Sequence, residues 1–277
     1  MNWLRKFKRG LRAVIAALRT GAPVAFVVKL EKCRIPYSFK RGLLEIEVWG
    51  AKVILRRGGS DAKCVEELCI DGQYNLTTSI LTKNGATVGT ILDLGGNMGL
   101  ASLQFASEFP EAKCIILEPD PENAKRAREH LGKCANVELI EAGIWSKSGT
   151  LYTSREYADG LDWAITVSDT KSESSVDEIP AIGIEDLIQT LEIEVIDLLK
   201  IDIEGAEGEL FREEVAAKFL PLTRVIALEV HDALVSRSQI EMMLKSHGFV
   251  LFQDGELTVG INARSFGGHK PVSVNTD

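Results

Sequence analysis

The segment ILDLGGNMGL at residues 91–100 places a carboxylate and an amide among glycines, in the pattern D-x-G-x-N-x-G. Its members are Asp93, Gly95, Asn97 and Gly99, at the end of an apolar run typical of a buried strand. Glycine permits positive φ and close backbone approach, so we expect a ligand against this turn, where a helix begins. The spacing fits neither a dinucleotide-binding G-x-G-x-x-G nor a G-K-[ST] phosphate loop. The neighbouring acid favours a cationic ligand.

A second carboxylate, Glu118, ends the next predicted strand in IILEPD, 19 residues after Gly99. An acid at this place in a doubly wound fold accepts hydrogen bonds from ribose hydroxyls. The carboxylates of Asp93 and Glu118 bracket one amphipathic helix, so the ligand they indicate has a ribose and a cationic portion and needs no phosphate. S-adenosylmethionine meets these conditions and is the predicted cofactor.

Four polar residues follow two later predicted strands. Asp202 and Glu204 come after VIDLLKI, while Glu229 and His231 alternate in ALEVHD and so point the same way. Strand tips in a parallel sheet lie beside the ligand cleft, so these side chains are expected to converge. Two interpretations stay open. Either His231 is a general base oriented by a carboxylate, or Asp202, Glu229 and His231 bind a divalent cation that acidifies a hydroxyl.

The residues predicted to be catalytic are Asp202, Glu204 and His231. Glu207 and Glu209 follow in the first turn of a predicted helix, where the helix dipole stabilises acids, and we assign them no further role. Oxygen ligands suit magnesium or calcium, whereas an imidazole ligand favours a transition metal.

These motifs resemble the FkbM-type family of S-adenosylmethionine-dependent methyltransferases. The resemblance rests on ILDLGGNMGLAS, ILEPDPEN, LLKIDIEGAEGELF and ALEVHD, with LRRGGSDAKCVEEL upstream, and spans about residues 50–262. It implies that Glu118 binds the ribose and that the pocket for the methionine end is shaped by Asp93, Gly95, Asn97 and Gly99. It implies contacts near the adenine from Pro119, Asp120, Ala142 and Gly143. It also implies closure of the pocket by Tyr74 and the Ser60–Asp61 turn.

The elements that must position these residues alternate as strand and helix from Thr90 onward, which predicts a parallel sheet with helices on both faces. The resemblance implies a class I methyltransferase (Rossmann-like) sheet of seven strands with the last one antiparallel. NVELIEAGI is predicted to be one strand, GELFREEVAAKFL one helix, and the polar stretch 168–180 a solvated loop within an insertion.

Residues 1–80 are predicted to form an N-terminal extension, and residues 81–277 the methyltransferase domain. A hairpin is expected around Gly50, with a cap helix beginning at Ser60 or Asp61. Residues 1–20 carry six basic residues, no acid and apolar residues at helical spacing. This amphipathic helix is expected to dock on its own domain or on a partner subunit, and a peripheral membrane contact is the alternative.

The composition excludes several classes of protein. The net charge of −8 over 277 residues argues against a general nucleic-acid binder, and no apolar run is long enough to span a membrane. Five scattered cysteines indicate free thiols in a reducing cytoplasm rather than a disulfide framework.

The predicted function is therefore methylation of a hydroxyl group on a small molecule, a sugar or a lipid-linked glycan. Homo-oligomerisation is compatible with this function. A methyltransferase-fold module that binds partners without catalysis is the alternative. A nicotinamide-dependent oxidoreductase is disfavoured by the missing G-x-G-x-x-G pattern.

Overall fold

The structure, a computed structural model, describes residues 2–58, 60–83, 87–154, 166–172 and 175–266, and for residues 2–9, 154, 166 and 266 only the backbone. Within these ranges no helix is long and apolar enough to cross a membrane. The predicted cytoplasmic location stays a prediction.

Residues 2–83 form helices and a small antiparallel sheet. Their elements are α1 (Asn2–Thr20), α2 (Val24–Cys33), β1 (Tyr37–Lys40), β2 (Leu43–Val48), β3 (Ala51–Leu55), α3 (Asp61–Val65), a π-helical turn (Glu66–Asp71) and α4 (Asn75–Lys83). The predicted hairpin is confirmed, because β2 and β3 pair across Trp49 and Gly50, both at the positive φ of a type I′ turn. The cap helix is present, but Ser60 makes no capping hydrogen bond and Asp61 binds Arg56.

The rest of the chain alternates strands and helices, as predicted. Its elements are β4 (Thr90–Leu94), α5 (Leu100–Glu108), β5 (Lys113–Leu117), α6 (Pro121–Leu131), β6 (Val137–Ile140), β7 (Gly143–Trp145), β8 (Gly149–Ser154), β9 (Thr166–Ser168), β10 (Glu178–Gly183), α7 (Ile184–Thr190), β11 (Ile196–Ile201), α8 (Glu207–Leu210), α9 (Glu213–Phe219), β12 (Thr223–Glu229), α10 (Arg237–Ser246), β13 (Phe249–Asp254), β14 (Leu257–Asn262) and α11 (Ala263–Phe266).

The main sheet has seven strands in the order β13-β14-β12-β11-β4-β5-β6. All neighbouring strands are parallel except for β14, which is antiparallel to both β12 and β13. This topology confirms the predicted class I methyltransferase fold. The strand order reverses between β4 and β11, so a cleft opens at the carboxyl ends of these two strands.

Both faces of this sheet are buried, which explains why its strands read as nearly continuous apolar runs. Alternate residues such as Leu92 and Leu199 pack with the helices α7, α9 and α10. Their neighbours, such as Ile91 and Leu198, pack with α4 and α5 on the other face. Every residue of β11 is buried, including Lys200, so a charge lies inside the sheet next to the cleft.

A second sheet, in the order β7-β10-β8-β9, follows the third strand of the main sheet. The single strand predicted for NVELIEAGI is wrong, because the chain turns after Ile140 and β7 pairs with β10 instead. The predicted loop at 168–180 is partly wrong too, since its last residues begin β10, while 173–174 lie outside the described residues. The single helix predicted for GELFREEVAAKFL is divided into α8 and α9.

The N-terminal elements share a core with the main domain, since residues of α1, α2 and β1–β3 pack with residues of α5 and α6. Helix α1 docks through Ala13, Ala16 and Ala17. The predicted docking of α1 on its own domain therefore uses these small residues, while Leu11, Val14, Ile15 and Leu18 are exposed. Docking of the larger apolar residues on a partner subunit, or on a membrane, stays a prediction. The boundary at residue 80 stays a prediction.

Candidate active site

The glycine turn after β4 is compact because other parts of the chain press against it. Gly95 has φ +81°, and a Cβ added there would lie 1.8 Å from the carbonyl oxygen of Asp202. At Gly99, also at φ +81°, it would lie 2.9 Å from Leu131. The expectation that a ligand excludes these side chains is therefore wrong for both glycines. The ends of two strands and helix α6 exclude them, while Gly95 still borders the cleft.

Asp93 lies beneath this turn rather than in the cleft. Its carboxylate is fully buried, 3.1 Å from Lys200 Nζ, and accepts a hydrogen bond of 2.7 Å from Ser102 Oγ. Lys200 also donates to the carbonyl of Gly95 and lies 3.5 Å from Asp202. Burial alone would lower the pKa of Lys200, but Asp93 and Asp202 raise it well above its ordinary value. The role predicted for Asp93 at the methionine end is therefore corrected. Asp93 on β4 forms an ion pair with the ammonium group of Lys200 on β11.

Glu118 is held at the edge of the cleft by backbone N–H groups. Its Oε2 accepts from the backbone N–H of Asn97 at 2.6 Å, and its Oε1 accepts from the backbone N–H of Asp120 at 2.9 Å. Burial raises the pKa of Glu118 to about 7, although these hydrogen bonds oppose the shift. Oε1 also accepts from Asn123 Nδ2 at 3.4 Å, so the carboxylate has a fixed orientation, and Oε2 keeps a lone pair for a further donor.

A first cleft of about 590 Å³ lies at the switch point between β4 and β11. The described residues that line it include the carboxylates of Glu118, Asp202 and Glu204 and no basic side chain. The Oδ1 atom of Asn97, another lining residue, is buried without a hydrogen-bond partner. An acidic cleft with an orphaned acceptor fits a cationic ligand with a ribose and would repel a phosphate.

The structure brings most of the predicted cofactor residues to this cleft. The predicted residues that line it are Gly95, Asn97, Glu118, Pro119, Ala142 and Gly143. Gly99 and Asp120 do not line it: Gly99 packs on α6, and Asp120 caps α6 by accepting from the backbone N–H of Asn123. The sequence did not reveal Ile144 or Val167, which also line the cleft, because Val167 arrives on β9 of the second sheet.

A second cleft of about 660 Å³ adjoins the first and shares Gly95, Asn97, Asp202 and Glu204 with it. Ser60 and Tyr74 line it, as predicted for the N-terminal side, whereas Asp61 is held away by Arg56. Its other lining residues include Lys63, Glu67, Gln73, Lys200 and Glu229. Asp202 and Glu204 therefore stand where two ligands would meet.

The segment after β11, residues 202–207, carries three acids whose carboxylates lie close to His231. Glu204 has φ +52°, an uncommon conformation for a residue other than glycine, and Gly205 continues the turn at φ +94°. This turn brings Glu204 Oε2 to 3.2 Å from His231 Nε2, while Asp202 Oδ1 lies 3.9 Å from the same nitrogen. His231 does not itself line either cleft, so it stands behind the two acids.

Glu207 is the residue of this cluster that sequence reasoning missed. It is fully buried, and its Oε1 lies 2.6 Å from His231 Nδ1, which donates to it. The purely electrostatic role predicted for it is therefore wrong, whereas Glu209 bonds Ser146 and pairs with Arg212. Helical spacing gave no signal for this contact, because Glu204 lies in a left-handed turn before α8, which begins at Glu207.

Three groups of this cluster have raised pKa values. Burial raises the pKa of Glu204 to about 7, with the nearby acids adding to it. Burial raises the pKa of Glu229 to about 8, and Asp202 adds to the shift. Burial would lower the pKa of His231, but the hydrogen bond to Glu207 and the surrounding acids raise it to about 9. Groups with perturbed pKa values that cluster beside a cleft are typical of a functional site.

The predicted metal ligands also converge. Ligand atoms of Asp202, Glu229 and His231 lie within 4.8 Å of one another, a set that could hold a divalent cation. Of these two acids, Asp202 also lines the first cleft, where it would attract a cationic cofactor. Glu229 lines only the second cleft and accepts from Gln73 Nε2 at 3.4 Å.

A sequence model of the FkbM methyltransferase domain matches residues 93–251, which is more than half of the chain. The protein belongs to the FkbM methyltransferase family. The matched segment contains the glycine turn, Glu118 and residues 202–207, so every residue that lines the first cleft lies in the family domain. The second cleft also takes residues that precede the matched segment, among them Ser60 and Tyr74. The FkbM fold is that of S-adenosylmethionine-dependent methyltransferases, and its cofactor is the one the first cleft fits.

Three relatives of this FkbM protein are informative. It is 26% identical over 165 residues to the 2-O-methyltransferase NoeI of Sinorhizobium fredii, covering 55% of this chain and 67% of NoeI. It is 26% identical over 196 residues to the methyltransferase sdnD of Sordaria araneosa, covering 59% of this chain and 74% of sdnD. It is 28% identical over 225 residues to the AMB antimetabolite synthetase AmbE of Pseudomonas aeruginosa, covering 66% of this chain but only 10% of AmbE.

Proposed function

We propose that this FkbM protein transfers the methyl group of S-adenosylmethionine to a hydroxyl oxygen of a small molecule, a sugar or a lipid-linked glycan. The observation that carries the proposal is the position of Asp202 and Glu204, which line both clefts where these join. The name of NoeI, a 2-O-methyltransferase, supports oxygen as the acceptor atom.

The first cleft would hold the cofactor through the chain's own acids. Glu118, fixed by two backbone N–H groups, would accept hydrogen bonds from the ribose hydroxyls. Asp202 and Glu204 would face the positive sulfur end. The bound cofactor supplies an activated methyl group on a good leaving group, so alignment within the joined clefts contributes much of the rate.

Glu204 is the proposed proton acceptor. The bound cofactor would supply the methyl group to the acceptor oxygen, and the Glu204 carboxylate would take the proton that this hydroxyl gives up. His231, held by Glu207 at 2.6 Å, would fix the orientation of Glu204 from behind. Asp202 would attract the cofactor cation. This assignment shifts the predicted base from His231 to a carboxylate that reaches both clefts.

A methyl-transfer screen tests the proposal. Purified protein and cofactor with a labelled methyl group are incubated with phenols, free sugars and lipid-linked glycans, and NMR of the product identifies the methylated atom. We expect an O-methyl ether. A product methylated on nitrogen or carbon would contradict the oxygen acceptor, and cofactor binding by calorimetry without transfer to any acceptor would favour the non-catalytic module.

Removal of metal ions distinguishes general-base catalysis from catalysis by a bound divalent cation. The enzyme is dialysed against EDTA and assayed with and without added Mg²⁺ or Mn²⁺. Because Glu204 acts as a base without a cation in this proposal, we expect the rate to change less than about twofold. Loss of activity that an added cation restores would instead assign Asp202, Glu229 and His231 to a metal site.

A further inference from the structure

Helix α1 has one buried face and, opposite to it, one apolar face that is exposed to solvent. Ala13, Ala16 and Ala17 are buried against the domain. Leu11, Val14 and Ile15 are 51%, 40% and 41% exposed, and Leu18 is 80% exposed. At 100° per residue, these four exposed positions share one stripe, directly opposite the docked alanines.

The sequence extends this stripe toward the beginning of the helix. Residues 3, 4 and 7 are Trp, Leu and Phe, and they precede Leu11 by eight, seven and four positions. These are the spacings at which residues share a helix face. The sequence therefore predicts that the apolar stripe continues toward the beginning of α1.

Basic groups lie beside the stripe. The Arg12 guanidinium lies 4.8 Å from the centre of the Tyr37 ring, and that of Arg19 lies 5.9 Å from the centre of the Phe39 ring. Both rings belong to β1, which places this strand along the arginine flank of α1. Phe39 is itself 38% exposed, and the exposed Lys40 and Arg41 follow it.

The charge of the helix is the reverse of that of the molecule. Residues 1–20 contain six basic residues and no acid, in a chain with a net charge of −8. A second copy of this helix would bring like charges together across an apolar interface. An anionic lipid surface provides a nonpolar environment for the exposed apolar stripe. It also provides negative charge that attracts the basic residues beside the stripe.

We propose that α1 is a membrane-surface anchor that lies flat on anionic lipid bilayers. The exposed apolar stripe enters the boundary between headgroups and acyl chains, and the basic flank, with Lys40 and Arg41 beside it, contacts lipid phosphates. The alanine face stays docked, so the catalytic domain is held against the surface. This anchor does not depend on which acceptor the enzyme methylates.

Vesicle flotation of the full chain tests the anchor. Phosphatidylcholine vesicles with and without phosphatidylserine are compared for the wild type, Ile15→Glu/Leu18→Glu and a control, Met242→Glu. Met242 lies on α10 and is 62% exposed, so its variant adds a charge at an exposed apolar site elsewhere. We expect wild type and control to float with the anionic vesicles, and the double variant to bind at least about tenfold more weakly.

The outcomes that overturn the anchor are distinct from misfolding. Thermal unfolding and cofactor calorimetry should match wild type in all variants, because the replaced side chains are exposed. Equal flotation of the double variant and the wild type would overturn the role of the stripe, and equal binding to both vesicle types would overturn the anionic requirement. If the wild type is a dimer that does not bind vesicles and the double variant is a monomer, the stripe is instead an interface with a second copy of the chain.

Discussion

At the scale of single residues, Glu204 carries the proposed chemistry. Replacing Glu204 by Gln keeps the shape of the side chain but removes the proton acceptor, so we expect kcat to fall by about 10²–10⁴-fold. The Kd for the cofactor, measured by calorimetry, should change much less. The matched control is Glu213→Gln, an exposed glutamate at the start of α9, which should behave as the wild type. A Glu204→Gln enzyme with normal kcat would contradict the assignment.

The pKa of Glu204 predicts the pH dependence of the rate. Burial raises this pKa to about 7, and a base acts only when it is deprotonated. With both substrates saturating, kcat should therefore rise about tenfold per pH unit below pH 7 and level off above it. In Glu207→Gln the inflection should move to lower pH, because the charge of Glu207 helps to raise the pKa of Glu204. An inflection near pH 9, the pKa of His231, would assign the base to the histidine.

At the scale of elements, the turn between β4 and α5 is held by contacts between strands. Gly95→Ala should destabilise the protein, because the new Cβ would lie 1.8 Å from the carbonyl oxygen of Asp202. Gly50→Ala provides the control, since Gly50 has a similar φ of +74° with no atom within 4 Å. We expect Gly50→Ala to cost about 1–2 kcal/mol of unfolding free energy for its left-handed conformation.

The cost of Gly95→Ala should exceed that of Gly50→Ala by at least about 2 kcal/mol in urea unfolding, because the collision adds to the strain of positive φ. Cofactor affinity should fall as well, since moving Asp202 disturbs both clefts. Equal losses of unfolding free energy in the two variants would show that the chain near Gly95 moves to accommodate the new Cβ without destabilising the protein.

At the scale of the whole molecule, the buried pair of Asp93 and Lys200 joins the two halves of the sheet. These residues are register partners on adjacent parallel strands and are nearly inaccessible to solvent. Asp93→Asn would leave the Lys200 ammonium with less compensating charge, and we expect a loss of about 3 kcal/mol in urea unfolding. Glu185→Gln, which breaks the half-exposed pair with Lys218, should cost less than about 1 kcal/mol. Similar costs for both would mean that Asp202 alone compensates Lys200.

The sequence predicted the main sheet and much of the cofactor cleft because those signals are local. Apolar strands and amphipathic helices can each be recognised from a short segment of sequence, and Glu118 is the residue immediately after its strand. The second sheet was missed because its strands are short and pair across an insertion, so no single segment identifies the partner. Glu207 was missed because an acid in a first turn already has a sufficient local explanation.

By itself, then, the sequence determined the fold class, the family and the type of cofactor, since these depend on patterns carried by contiguous residues. Only the tertiary structure decided that Asp93 faces Lys200 instead of the cleft, that Glu207 holds His231, and that α1 docks by its alanines. Each of these depends on which groups are brought together from distant segments. Burial then selects the pairings, because a charge removed from water is retained only beside a compensating partner.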